Sequence, residues 1–148
     1  MEEIFKRLVP EIAKIKQIAS DGKTICWEAY AASGAILGYA FAQDVPESLD
    51  FPGAEEMDKY RVFGVVDSKD YKIIKVDIAI HPEGPEEPWT MDITEPEFEK
   101  QFSGLTVTEI NLSPDGKIDA ISEATLSSTW VTNAIREKVE EIIIKTKK

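Results

Sequence analysis

Four hydroxyl residues, Ser122, Thr125, Ser127 and Ser128, crowd the start of a helical-looking stretch within residues 115–135, DGKIDAISEATLSSTWVTNAI. Pro114-Asp115-Gly116 reads as a turn, and the residues after it read as a short strand that delivers the chain to that helix. A helix N-terminus offers unpaired N–H groups and the positive end of the helix dipole, worth roughly 0.3–2 kcal/mol to a nearby anion. Hydroxyls add further donors for phosphate oxygens. The same residue types also serve as ordinary N-caps, so hydroxyl content alone leaves anion binding and capping both open.

Other chemistries find less support in the residues. His81 is the single histidine and precedes Pro82 at a strand end, a surface or structural position. Neither Ser127 nor Ser128 has a base near it in sequence, so a Ser-His-Asp hydrolase is not expected. The acid-rich residues 83–99 lack EF-hand spacing and read as a solvated loop, and no metal site is expected. Cys26 stands alone, which excludes an intramolecular disulfide and a multi-cysteine metal centre, and it reads as a small core or strand residue. Of the tryptophans, Trp27 reads as core and Trp89 as a ligand contact, while Trp130 packs either inward or against a ligand.

Composition narrows the class of partner. The chain has 148 residues, with 28 Asp plus Glu against 17 Lys plus Arg and a net charge of −11. That balance, with a pI of about 4.6, argues against nucleic acid, which needs a basic face, and against anionic lipid. A hydrophobic fraction of 43% and a mean hydropathy of −0.23 suit a soluble globular chain rather than a disordered one. No apolar run is long enough to span a bilayer, and the N-terminal residues lack the apolar middle of a signal peptide. The length suits one domain spanning residues 1–148.

The elements that must position the hydroxyl cluster follow from periodicity. Residues 2–19 place Ile4, Leu8, Ile12, Ile15 and Ala19 on one helical stripe, kinked or divided into two helices at Pro10. Residues 24–42 read as a hairpin, and residues 44–59 as a loop or short helix. A second hairpin runs through Val62 and Val66, turns at residues 67–70, and returns with Ile74, Val76, Ile78 and Ile80 on one face. Residues 95–102 predict a short helix packed through Phe98 and Phe102, residues 106–111 a strand, and residues 127–145 a helix with Val131, Ile135, Val139 and Ile142 along one face. The fold class is α+β, antiparallel β-hairpins forming a sheet packed by N-terminal and C-terminal helices.

Asp119, Ser122, Ala124 and Thr125 fit the pattern Asp-x-x-(Ser/Thr)-Gly-Ala-(Thr/Ser), with Glu123 where Gly is usual. Gly38-Tyr39 matches a strand ending in Gly-Tyr, residues 60–80 a later hairpin, and residues 98–104, FEKQFSG, a phenylalanine-containing helix before a glycine. In these residues the chain resembles the FMN-binding domain family, which includes the G subunit of the Rnf electron-transport complex and the C subunit of the sodium-pumping NADH:quinone reductase. The resemblance covers most of the chain. It implies FMN as cofactor, with Thr125 esterified by the flavin phosphate or contacting it. It further implies that Asp119 shapes the preceding turn and that Ser122, Ser127 and Ser128 bond the phosphate. Ala124 completes the motif, while Glu86 and Trp89 lie on a loop comparable to the family's flavin-lining Glu-Thr-Pro-Gly, here Glu86-Glu87-Pro88-Trp89.

The resemblance also implies a redox subunit rather than a stand-alone catalyst, since a flavin performs its own chemistry and the protein orients and tunes it. The implied partner is a redox protein, with subunits of a membrane complex among the candidates, approached through the acidic residues 44–58 and 83–99. Covalently flavinylated relatives sit outside the cytoplasmic membrane on an N-terminal helix, which is not found in this sequence. The expected location is therefore either the extracytoplasmic part of a tethered protein or the cytoplasm. Two alternatives stay open. Glu123 and the altered Glu86-Trp89 loop fit a flavin-free binding or assembly module of the same fold, and the chain equally fits a non-covalent cytoplasmic flavoprotein.

Overall fold

The computed structural model describes residues 1–46, 58–82, 93–122 and 124–147. Five antiparallel strands follow one another in space as they do in sequence, β1 (Ile12–Ser20), β2 (Lys23–Ala31), β3 (Ile36–Pro46), β4 (Asp58–Asp67) and β5 (Ile73–Ile80). Helix α1 (Glu2–Leu8) covers one face of the sheet. A single turn of helix, α2 (Pro96–Glu99), continues as a 3-10 turn over Lys100–Phe102, and a second 3-10 turn spans Val107–Glu109. The 22-residue α3 (Thr125–Thr146) covers the other face. The α+β class, the two hairpins and the terminal helices read from sequence are all present.

Alternation along the strands separates two cores. On one face Phe5 and Leu8 of α1 meet Ala29, Ala40, Phe63 and Val65, with the Phe5 ring 5.4 Å from Trp27. On the other, Val131, Ile135, Val139 and Ile142 of α3 pack on Cys26, Phe41, Val62 and Val66. Cys26 is fully buried, and burial pushes its thiol up to about 11, so it is inert core. Thr132 is also fully buried on this face, and its hydroxyl has no hydrogen-bond partner among the described residues. Thr132→Val removes that uncompensated polar atom without changing shape, so the denaturation midpoint should rise, by about 1 kcal/mol of stability. An unchanged or lower midpoint would show the hydroxyl to be satisfied.

Four elements differ from the sequence expectation. Residues 12–19 form strand β1 rather than a continued helix. The i, i+3 spacing of Ile12 and Ile15 looks helical, but Ile12 pairs with Ala31 and Lys14 with Tyr30, so an extra residue is bulged at Ala13. That bulge returns Ile15 to the face of Ile12, while Ile18, opposite Cys26, faces the other core. In β5 a similar bulge at Ile74 leaves Ile74 37% exposed and puts Ile73 in its place on the inner face, where Val76 and Ile78 lie as alternation predicted. Residues 106–111 are not a strand: the Glu109 carboxylate accepts the N–H of Thr106 at 3.0 Å and its hydroxyl at 3.1 Å, closing a tight turn. The stretch after Gly116 is not a strand either, but a single bridge between Leu112 and Ile118.

The segment 93–105 closes the β5 edge, which would otherwise expose unpaired backbone. The Ile73 N–H donates to Leu105 at 3.0 Å, Gly104 donates to Ile73 at 2.7 Å, and the Ile78 N–H donates to the Glu99 carboxylate. Burial pushes that carboxyl from 4.5 up to about 7; the Ile78 N–H opposes the rise and Asp77 adds to it. The folded protein therefore holds a proton on Glu99 that the unfolded chain releases, and this group's contribution to stability falls as pH rises from about 4.5 to about 7. Glu99→Gln keeps an acceptor for Ile78 and carries no charge. Denaturation midpoints should thus separate, with the variant the more stable above pH 7 and the two converging near pH 4. Parallel curves would exclude Glu99 as the source.

Candidate functional site

The candidate site lies where a tight loop meets the start of α3. Thr106 and Glu109 begin the loop, and Lys117 pairs with Glu109 at 2.5 Å. Lys117 and the two Thr106 donors hold the Glu109 carboxyl down at about 2, so the brace stays charged at any ordinary pH. The chain then doubles back, with Ile118 donating to Asn111 at 3.0 Å and Gly116 to Leu112 at 3.1 Å. A Cβ on Gly116 would overlap the Asn111 carbonyl oxygen, so this approach requires glycine. Arg136 of α3 reaches over to the Asn111 side chain at 2.6 Å, fixing the loop against the helix.

Asp119 is held by its backbone. Gln101 accepts the Asp119 N–H at 2.7 Å and donates to its carbonyl at 3.1 Å, leaving the Asp119 carboxylate exposed. Gln101 is a positioning residue that sequence reasoning missed, because no spacing rule links residues 18 apart. Beyond it, Ser122 is exposed, and Ala124 is buried and stands at the helix N-cap, where it supplies no side-chain oxygen.

The four hydroxyls divide between two environments. Thr125 is the first residue of α3, two positions earlier than periodicity placed the helix start, and it is exposed. Ser127 and Ser128 point inward at 3% and 0% exposure. The Ser128 hydroxyl accepts the Ile121 N–H at 3.1 Å and donates to the Ala124 carbonyl at 2.8 Å. Ser128 thus ties the loop to the helix, and its single proton is already used. Ser122 and Thr125 are the hydroxyls open to a ligand. Among the described residues no acidic residue occupies the first turn of α3, and none caps its leading N–H groups through a side chain. Exposed hydroxyls beside an uncapped, positively polarised helix end form a donor set that fits a phosphate group. Glu86, Trp89 and Glu123 lie outside the described residues.

Other residues weighed from sequence have structural places. His81 is buried, with Nε2 3.1 Å from the Arg61 guanidinium and 3.7 Å from Asp44, and Arg61 itself pairs with Asp44 at 2.7 Å. Trp27 is half-buried on the α1 face. Trp130 is half-buried on α3, and the Lys59 ammonium lies 5.4 Å from its ring centroid. Two cavities open elsewhere. One of 540 Å³ lies between α1, β5 and α2, and one of 960 Å³ lies along the flank of α3 facing β1–β4; no residue from 119 to 128 lines either. Among the described residues no group of three or more His, Cys, Asp or Glu could hold a metal ion.

The sequence model of the FMN-binding domain matches residues 58–140, from the start of β4 through most of α3, and includes the loop and Thr125. The chain belongs to the FMN-binding domain family. FMN is the cofactor of this family member. The chain is also similar to the G subunit of the ion-translocating oxidoreductase complex of Methanosarcina acetivorans, 27% identical over 149 residues that span 95% of this chain and 74% of that protein. No solved structure matches. Among the described residues of this FMN-binding domain, no helix is long and apolar enough to cross a membrane.

Proposed function

We propose that this chain acts, over residues 1–148, as an electron-transfer domain whose FMN phosphate is seated at the N-terminus of α3 and esterified to the Thr125 hydroxyl. The observation that carries the reading is Thr125 itself, an exposed hydroxyl at the first position of a 22-residue helix whose N-cap, Ala124, contributes no side-chain bond. The backbone N–H groups of that first turn and the Ser122 hydroxyl donate to the phosphate. Gln101 holds the backbone of Asp119, and Ser128 holds that of Ile121, so the loop is tied down on its way into α3. Ser127 shapes the interior side of the turn, with Glu86 and Trp89 assigned to the flavin ring from the sequence pattern alone.

FMN, when bound, supplies one- and two-electron redox chemistry; the chain supplies orientation, exclusion of water on one side and local charge. The similarity to the G subunit of an ion-translocating oxidoreductase complex supports a place beside subunits of a membrane complex. The net charge of −11 suits a basic redox partner, for which charge complementarity mainly raises the association rate.

The test is expression with and without a competent flavin transferase, followed by absorbance, intact mass and denaturation. A yellow chain heavier by one FMN unit that keeps its flavin after denaturation is the expected result. Flavin that binds but is lost on denaturation would limit the reading to non-covalent binding. A chain that takes up no FMN from solution and none from the transferase would replace it with a flavin-free module, the outcome favoured by Glu123 standing where glycine is usual.

A further inference from the structure

Trp130 stands five residues after Thr125, so its Cα is about 7.5 Å further along the α3 axis. Helical side chains lean toward the N-terminus and cover the preceding turn, which brings the indole back toward the first turn of α3. Leu126, four residues earlier on the same stripe, is 64% exposed, so an apolar strip leads from beside Thr125 to the Trp130 ring. Lys59 lies beside that ring. It is 6% exposed with its ammonium 5.4 Å from the ring centroid, and its carbonyl accepts the His81 N–H at 2.8 Å, which joins the start of β4 to the end of β5. The ammonium is therefore carried on paired backbone at the edge of the core.

We infer that Trp130 is a ring contact for the isoalloxazine and that Lys59, beside it, is a positioning residue that favours the reduced flavin. This rests on the phosphate seat at Thr125 proposed above. With the phosphate there, the extended ribityl chain carries the isoalloxazine a distance comparable to the separation of Thr125 and Trp130. The half-buried indole offers a flat apolar face, and aromatic stacking of this kind adds about 2- to 10-fold to affinity. Two-electron reduction places negative charge on the flavin ring. A buried ammonium 5.4 Å from the indole centroid stabilises that charge through a medium of low dielectric, and it leaves the oxidised, neutral ring almost unaffected. Lys59 thus acts on the potential and Trp130 on the seat.

The experiment uses the full chain loaded with FMN, in the wild type and in Trp130→Phe, Lys59→Met and Lys59→Arg, each checked for a wild-type denaturation midpoint. The comparison is made in a Trp89→Phe background, which removes the indole assigned to the flavin from the sequence pattern; there FMN should quench indole emission, and Trp130→Phe should diminish that quenching, since Trp27 lies on the opposite face of the sheet. In Lys59→Met the equilibrium constant for reduction against a reference dye should fall on the order of 5-fold, with Lys59→Arg restoring it. Undiminished quenching in Trp130→Phe, or an unchanged reduction equilibrium in Lys59→Met, overturns the inference while leaving FMN at Thr125 intact. A wild-type chain that cannot be loaded with FMN at all overturns both. Should Lys59→Met fail to fold, Lys59→Gln gives the same reading with a polar stem.

Discussion

Replacing Thr125 by Val should remove every flavin that survives denaturation and leave the fold standing. The side chain is exposed at the first position of α3, where Thr and Val differ little in helix propensity, so stability should stay within about 0.5 kcal/mol of wild type. The substitution deletes the hydroxyl proposed to form the phosphoester, so the expected change in covalent flavin is all or none. Thr125→Ser, which keeps the hydroxyl, should restore it.

Ser128→Ala should behave in the opposite way. It leaves the Ile121 N–H without its acceptor and costs about 1–3 kcal/mol, yet it touches no atom of the attachment chemistry. Flavin should then remain on the chain while the denaturation midpoint falls. Intact mass and a denaturant titration on the two variants decide the matter together. Retention of flavin by denatured Thr125→Val would move the attachment point to another hydroxyl, with Ser122 the first to try.

Gly38→Ala should produce the largest loss of stability among single-atom additions to the sheet. A Cβ at Gly38 would overlap the Val66 carbonyl oxygen and lie 3.1 Å from its carbon. These are backbone atoms of β4, which is pinned on its far side by pairing of Val66 with Ile73. No rotamer relieves the clash, so β3 and β4 must separate, at a cost of about 3 kcal/mol or more. Gly64→Ala offers a control. Its Cβ meets the Phe41 ring at 2.5 Å, side-chain rather than backbone atoms, and the loss should be smaller. Equilibrium unfolding of both variants tests the ordering, and a Gly38→Ala midpoint within error of wild type would mean that the two strands lie further apart than their pairing requires. The same glycine sits one residue before Tyr39, whose ring stacks on Tyr71 at 5.9 Å. Widening the sheet there would also disturb the end of α3, where the Tyr71 hydroxyl meets Thr146 at 3.0 Å.

Much of this architecture was legible in the chain because turn chemistry and period-2 alternation are local. Ser33-Gly34 and residues 67–70 mark the turns of the two hairpins read from sequence, and the stripe of Val131, Ile135, Val139 and Ile142 marks α3, without reference to anything distant. The Thr106-x-x-Glu109 spacing is a capping signature that the strand reading of residues 106–111 passed over. Residues 12–15 show the limit of spacing arguments. An i, i+3 pair of isoleucines is a helical signal in isolation and a bulged strand once β2 lies alongside, and only pairing with β2 supplies the hydrogen bonds that settle it.

The site divides along the same line. By itself the sequence determined that a cluster of hydroxyls stands at the start of a helix, within a pattern shared by an FMN-binding family, because a motif needs only identity and order. Only the tertiary structure decided which hydroxyls face out. Burial of Val131 and Ile135 against the sheet fixes the rotation of α3 about its axis, and that rotation turns Ser127 and Ser128 inward and leaves Thr125 exposed. The Gln101 clamp on Asp119 and the Lys59 ammonium against Trp130 are likewise contacts between distant segments. Composition cannot announce such contacts, because they exist only once the sheet has brought its neighbours together.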